Sequence, residues 1–384
     1  MTREELDIIL RQEVIEAIDA NIERDPLKIA LDRHIPYARE VATQVKYLQR
    51  AKYKLPSLYE VRAILPPRAF EQSSSEKCAA AKQLKGENLL ELTCGLGIDA
   101  IALSRHFRHI TTLERDEVLA DVVRENLRRL GIQNVEVINT SAEDFLSRCN
   151  EHFDWVYADP DRRTTSGKRV FRMEECSPNI IELKPHLQRI THNLVLKLSP
   201  LFDTEEAFRI FGNCRVEVVS LDNECKEVMV YADGSTPTIS AHAIGKGVFS
   251  LSHAESMKQP ALPEKFDIDN YNFLILPDVA LQKARLTRHA LQGKADIWSD
   301  YSFGFAHDYP NEVLGRIEPI QGIEPFNLKQ LKSEMKGKGV DIILGGGFRM
   351  GVDEIRRRCS MRSGEEHRIA LCNIGGKDFT ILLK

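Results

Sequence analysis

Leu89-Leu90-Glu91-Leu92-Thr93-Cys94-Gly95-Leu96-Gly97 is the stretch on which the reading of this chain turns. An apolar run ends in an acid, passes through a tight glycine turn and opens a helix near Ile98. Outward from it, short apolar runs predict strands at 88–92, 109–114, 135–138, 153–158 and 193–198. Helical spacing predicts helices at 97–106, 117–130, 142–149, 178–190 and 204–211. Such alternation implies a parallel, doubly wound sheet with helices on both faces. Arg215–Leu221 and Glu227–Tyr231 then read as a closing hairpin across Asp222-Asn223-Glu224. Glu114 closes the second strand, and Asp159-Pro160-Asp161-Arg162 closes the fourth. An open parallel sheet binds ligands at the carboxyl ends of its strands, so these signals converge on one pocket.

Gly95 and Gly97 let the backbone turn sharply and lie close to a ligand. The helix that follows points its positive end at the same place. Gly95-Leu96-Gly97-Ile98-Asp99-Ala100 also fits the G-x-G-x-x-A dinucleotide fingerprint, with Glu114 on ribose hydroxyls in either case. Three features favour S-adenosylmethionine (SAM). Glu91 sits directly before the turn and suits the methionine ammonium. Ser141-Ala142-Glu143-Asp144 follows the third strand, where an adenine edge would sit. The fourth strand ends in a charged Asp-Pro step that a nicotinamide enzyme does not need. The candidate cofactor set is therefore Glu91, Thr93, Gly95, Gly97, Asp99, Glu114, Ser141, Ala142 and Asp159. Singly, Glu114 also reads as a solvated strand-end acid, and Asp144 as a helix-start acid.

Methyl transfer from a sulfonium needs a nucleophile held in line with the methyl group. Asp159-Pro160-Asp161-Arg162 resembles the Asp-Pro-Pro-aromatic motif of amino-methyltransferases. In that motif the Asp carboxylate and the Pro carbonyl accept hydrogen bonds from an exocyclic NH2, and the aromatic stacks on a flipped base. Asp159, Pro160 and Arg162 are the catalytic candidates that this resemblance implies. Arg162 stands where the aromatic is expected, and a guanidinium stacks on bases or clamps phosphates. Arg163, Lys168, Arg169 and Arg172 continue the positive charge, which points to an anionic substrate. Pairing of Arg162 and Arg163 with Asp161 in a solvated loop is the plainer alternative. Asp-Pro-Pro-Arg is also typical of RNA uracil-5 methyltransferases, which need a cysteine nucleophile after the fifth strand. That strand here ends Lys197-Leu198-Ser199-Pro200, and Cys176 reads as a packing residue. Lys197 faces the pocket or caps the strand, and the sequence leaves both open.

Residues 1 to about 82 read as helical, with Leu6, Ile9, Leu10, Val14 and Ile18 on one face. Asp25-Pro26 suits a helix start, and Gln72-Ser73-Ser74-Ser75-Glu76 is a bend whose serines offer a cap or a lid over the cofactor. After Tyr231 the chain is richer in Gly, Ser and Pro to about 265, with a strand at 273–276 and a helix at 278–291. From about 313 a compact α/β unit follows. Its helices are expected at 328–336 and 352–361, and its strands at 340–344, 369–373 and 379–383. At 384 residues, several domains are the default. A net charge of -4 argues against a generally sticky nucleic-acid binder but allows a local basic face. The start is acidic and helical rather than a signal peptide, and no apolar run reaches membrane-span length. Eight cysteines without CxxC pairs suit reduced thiols in a cytoplasm and give no zinc site.

With these residues in hand, the chain resembles a family of bacterial class I SAM-dependent methyltransferases with a THUMP-like C-terminal domain. The resemblance rests on Glu71–Glu76, on Leu92–Asp99, on Tyr157-Ala158-Asp159-Pro160-Asp161-Arg162-Arg163 and on Lys197-Leu198-Ser199-Pro200. It implies a Rossmann-like, mostly parallel seven-stranded sheet. It also implies four segments: a helical one at 1–82, the methyltransferase at 83–236, a linker with a ferredoxin-like segment at 237–312, and the THUMP-like end at 313–384. By the same analogy the substrate is structured RNA, tRNA or rRNA. Arg349, Arg356 and Arg357, beside the Gly345-Gly346-Gly347-Phe348 turn, are then substrate-binding candidates. A solvated helix face balanced by Asp353, Glu354, Glu365 and Glu366 explains them equally well. The other functional readings are a methyltransferase acting on a protein or small acidic molecule, and a non-catalytic SAM- or RNA-binding module.

Overall fold

The computed structural model describes residues 1–162 and 173–384, so the expectations for Arg163 and Lys168 lie outside the described residues. The side chain of Arg162 is likewise outside them; its backbone forms a short strand with Asp161. The chain divides into two compact units. One is Met1–Glu206 with Met229–Ser235, and the other is Ala207–Val228 with Thr236–Lys384.

The first unit opens with helices whose starts follow local rules. Thr2 and Glu5 form a capping box. The Asp25 carboxylate accepts from the Leu27 N–H ahead of Pro26. Ser75 caps the helix Glu76–Ala80 by accepting from the Cys78 N–H. These helices bury Leu6, Val14, Ile29, Val45 and Phe70 in one core, together with Leu96, Ile98 and Val122 from the α/β segment. Asn126 closes this join: its side chain accepts from Ile64 N–H and donates to Ile64 C=O, at 2.8 and 2.9 Å.

Five parallel strands follow: β1 (Gly86–Glu91), β2 (Phe107–Glu114), β3 (Val135–Asn139), β4 (Trp155–Ala158) and β5 (Leu194–Leu198). Their order is β3-β2-β1-β4-β5, with every pairing parallel. The chain starts at the middle of the sheet and returns to it, which creates a switch point between β1 and β4. β5 is buried along its whole length, as expected where helices cover both faces. β6 (Arg215–Leu221) and β7 (Glu224–Ala232) are joined at Asp222-Asn223, both at positive φ, as a two-residue hairpin requires. In sheet order β7 follows β5, and β6 follows β7.

Seven strands are expected, but the structure carries more. In the second unit, β8 (Thr238–Ala243) runs parallel to β6, and β9 (Gly247–Ser252) runs antiparallel to β8. Composition hid them: β8 alternates buried Ile239, Ala241 and Ala243 with half-buried neighbours, mostly on small residues, and β9 has no buried residue. The same unit holds a second sheet of β10 (Phe273–Pro277), β11 (Gly304–Ala306), β12 (Gly315–Pro325), β13 (Gly339–Leu344), β14 (Arg362–Ile374) and β15 (Lys377–Leu383). Its order is β11-β10-β12-β15-β14-β13. Leu274, Phe305, Ala370 and Ile381 form its core on one side, and Val340, Ile355 and Ile369 on the other. The expected helix at 278–291 is two short ones, Val279–Lys283 and Thr287–Leu291, separated where Arg285 takes a φ of 56°. No helix among the described residues is long and apolar enough to cross a membrane.

Candidate active site

The carboxyl ends of β1, β2 and β4 open on a cleft of about 630 Å³, in the range of small-molecule sites. Thr93, Gly95, Asp99, Glu114, Ser141, Ala142 and Asp159 all line it, so seven of the nine expected cofactor positions come together. The turn after β1 holds its shape through backbone bonds from Cys94 N–H to Leu113 C=O (2.8 Å) and from Gly97 N–H to Cys94 C=O (2.9 Å). Gly95 and Gly97 both have positive φ, at 54° and 75°. A Cβ at Gly97 would lie 2.9 Å from Cγ1 of Val123. Gly97 thus packs against Val123 behind the turn and, contrary to expectation, is not among the residues lining the cleft.

Glu91 also stands elsewhere than expected. It is 1% exposed, behind the wall, and its carboxylate accepts from the Thr112 hydroxyl. Burial, and then the nearby negative Asp99, push its carboxyl up to about 8. Its carboxyl therefore lies behind the cleft wall rather than on it. Glu114 is on the wall as expected. One oxygen accepts from Gly95 N–H at 3.0 Å and the other from Asp116 N–H at 2.9 Å. Partial burial raises its carboxyl, and these two N–H groups act in the opposite direction. Ser141 lines the cleft, but its hydroxyl is engaged as a helix cap. It accepts from Asp144 N–H at 3.0 Å and donates to the Asp144 carboxylate at 2.8 Å.

Under the cleft floor lies a cluster the sequence did not bring together. Asp99 is paired with Lys82 and Lys197, each at 2.9 Å, and accepts from the Tyr157 hydroxyl at 3.0 Å. Burial acts to raise this carboxyl, and the two ammoniums more than offset it, holding Asp99 well below the usual carboxylate range. Lys197 also reaches Asp159 at 2.6 Å and Ser74 at 2.9 Å. It therefore faces the cleft. The Asp159 backbone N–H donates to the Thr93 hydroxyl at 2.7 Å. Its side chain is 39% exposed toward the cleft; enclosure raises its carboxyl and Lys197 opposes this. Signals for this cluster existed. Lys82 follows the apolar run Cys78-Ala79-Ala80-Ala81, and Lys197 interrupts an otherwise apolar strand. Ser73 and Ser74 of the serine bend line the same cleft, as do Arg68, Arg115 and Asp116, which sequence reasoning did not single out.

In the second unit, Arg349 and Arg357 are exposed, and Arg356 is half-buried with its guanidinium on the Val340 carbonyl. Arg358 pairs with Glu354 and Arg362 with Glu366.

A strand-turn-helix cleft walled by an acid at the end of β2 fits an adenosyl ligand. Glu114 presents a carboxylate to the cleft, and Gly95 offers bare backbone. Comparison with known proteins agrees. Over 318 residues the chain is 22% identical to an uncharacterized S-adenosylmethionine-dependent methyltransferase of Mycobacterium tuberculosis (strain CDC 1551 / Oshkosh), spanning 80% of this chain and 84% of that one. The family described as conserved hypothetical protein 95 matches residues 74–172. This protein is a SAM-dependent methyltransferase. The chain is also 30% identical over 101 residues to the ribosomal RNA small subunit methyltransferase J of Francisella philomiragia, over 23% of this chain and 42% of that one. The fold matches the crystal structure of a candidate methyltransferase from Porphyromonas gingivalis W83 with a TM-score of 0.81, at 24% identity and over 100% of this chain and 99% of that one.

Proposed function

We propose that this enzyme methylates a base of tRNA or rRNA, at an exocyclic amino group. The carrying observation is the placement of Asp159 at the end of β4, open to the cleft and followed by Pro160 and Asp161. When bound, SAM supplies an electrophilic methyl group on a sulfonium. The protein's task is then to hold and orient an acceptor nitrogen. Asp159 accepts a hydrogen bond from the NH2 group and Pro160 offers its carbonyl, which aims the nitrogen lone pair at the cleft. Glu114 takes the ribose hydroxyls, and the Gly95 turn gives the ligand close backbone approach. Ser141 and Ala142 flank the adenine. Arg162, Arg163 and Lys168 meet the base or its phosphates, and the C-terminal cations Arg349, Arg356 and Arg357, on the THUMP-like segment, dock the RNA. Such a substrate places the enzyme in the cytoplasm.

Transfer to a ring carbon through a cysteine adduct has less support. Cys176 is 1% exposed, and burial pushes the Cys94 thiol well above its ordinary range, which removes the thiolate such chemistry needs. The RNA methyltransferase named above supports the RNA reading as a relative over part of the chain.

The test is transfer of labelled methyl from SAM to total RNA from cells lacking this gene, with the Asp159→Ala protein as control. Label in one RNA size class, absent with the variant while SAM binding persists, supports the proposal. Label in protein or small molecules instead of RNA overturns it.

A further inference from the structure

We propose that Lys197 is a positioning residue for methyl transfer: its ammonium fixes the Asp159 carboxylate on the acceptor side of the cleft. This rests on the reading of Asp159 as the group that orients the acceptor nitrogen.

Register explains how the contact arises. β4 and β5 are parallel, with Ala158 opposite Leu196, so the next residues along are Asp159 and Lys197. Lys197 is 9% exposed, in a strand buried throughout, and its backbone position is set by the sheet. An ammonium has three protons to donate. Those of Lys197 reach Ser74 at 2.9 Å, Asp99 at 2.9 Å and Asp159 at 2.6 Å.

Charge accounts for why a second lysine is present. Asp99 already has Lys82 at 2.9 Å and the Tyr157 hydroxyl at 3.0 Å. Neutralising Asp99 alone would need only Lys82. The cluster instead holds two carboxylates and two ammoniums, and the second ammonium balances Asp159. Among the described residues, the carboxylates that act on Asp159 are Asp99 in the floor, Glu91 behind the wall and Asp161 on the cleft. Without Lys197, Asp159 would sit among them in a partly enclosed site and take up a proton more readily. A protonated carboxyl is a weaker acceptor for an amino group and is free to turn away.

The experiment titrates the Asp159 side-chain carboxyl by carbon-13 NMR in the full-length chain with S-adenosylhomocysteine bound, its signal assigned by loss in Asp159→Asn. In Lys197→Met the midpoint is expected to rise by about one pH unit or more. Turnover on RNA should fall about 100-fold, with KM for SAM changed by less than about threefold. Lys197→Arg, which keeps the charge, should restore the midpoint and recover part of the turnover. A folded Lys197→Met protein whose Asp159 titrates as in the wild type overturns the proposal. Should Lys197→Met not fold, Asp159→Asn reads the contact from the other side. The nitrogen-15 signal of the Lys197 ammonium must then shift, and an unshifted signal overturns the proposal equally. The titration needs no methyl acceptor. A wild-type protein that transfers nothing to RNA would therefore sink the RNA reading, while the titration still decides the role of Lys197.

Discussion

Asn126 and Ile64 are joined by two hydrogen bonds, from a side chain that is fully buried to a backbone in the helical segment. The amide satisfies both backbone polar groups of Ile64, a residue in no strand or helix. The N-terminal helices are thereby attached to the wall of the catalytic fold by a polar clasp inside an apolar core.

Asn126→Ala should therefore cost about 2–4 kcal/mol, because it strands one buried donor and one buried acceptor. Urea unfolding followed by circular dichroism measures it. A loss below about 0.5 kcal/mol would mean that water or a backbone shift replaces the amide.

Glu114→Ala should weaken SAM binding about tenfold or more, equivalent to at least about 1.4 kcal/mol. The carboxylate both faces the cleft and steadies the Gly95 turn. Calorimetry with SAM on a protein of unchanged circular dichroism checks this, and unaltered affinity would remove Glu114 from the cofactor site.

Gly97→Ala combines backbone strain at a φ of 75° with a clash against Val123. The expected cost is about 1–3 kcal/mol, with weaker SAM binding as the turn shifts. Thermal unfolding with and without SAM separates the two effects. Full retention of both would show that the turn relaxes freely.

Glu91 gives stability a pH dependence of known sign. Its folded carboxyl titrates near 8, far above its value in an unfolded chain. Between about pH 4.5 and pH 8 the unfolded state has released this proton and the folded state has not, so stability falls as pH rises, by up to about 1.4 kcal/mol per unit. Asp99 has the opposite sign: its lowered carboxyl contributes stability above its ordinary range and loses it only in strong acid. Glu91→Gln should flatten the fall between pH 5 and pH 8 and leave the acid limb in place. Denaturation midpoints across that range report it. An unchanged slope would assign the proton to another group.

Local pattern carried much of the fold. The five parallel strands, the β6–β7 hairpin and the glycine turn were legible because periodicity, turn residues and strand-end acids are written within a few residues of one another. Thr93, Gly95, Asp99, Glu114 and Asp159 could be placed on one cleft from that local grammar and the rule for parallel sheets. Strands β8 and β9 were not legible, since the alternation in β8 rests mostly on small alanines and β9 buries none of its residues. Neither was the true setting of Glu91. An acid at a strand end looks the same whether it faces a ligand or lies behind the wall, and only packing around Thr112 separates the two. The Lys82–Asp99–Lys197–Asp159 cluster lies furthest from what the chain spells out. Lys197 meets Ser74 across 123 positions and Asp99 across 98. Contacts of that range come from the register of β4 against β5 and from the serine bend returning over the cleft. Burial then gives these charges their force, and burial belongs to the folded molecule rather than to any stretch of sequence.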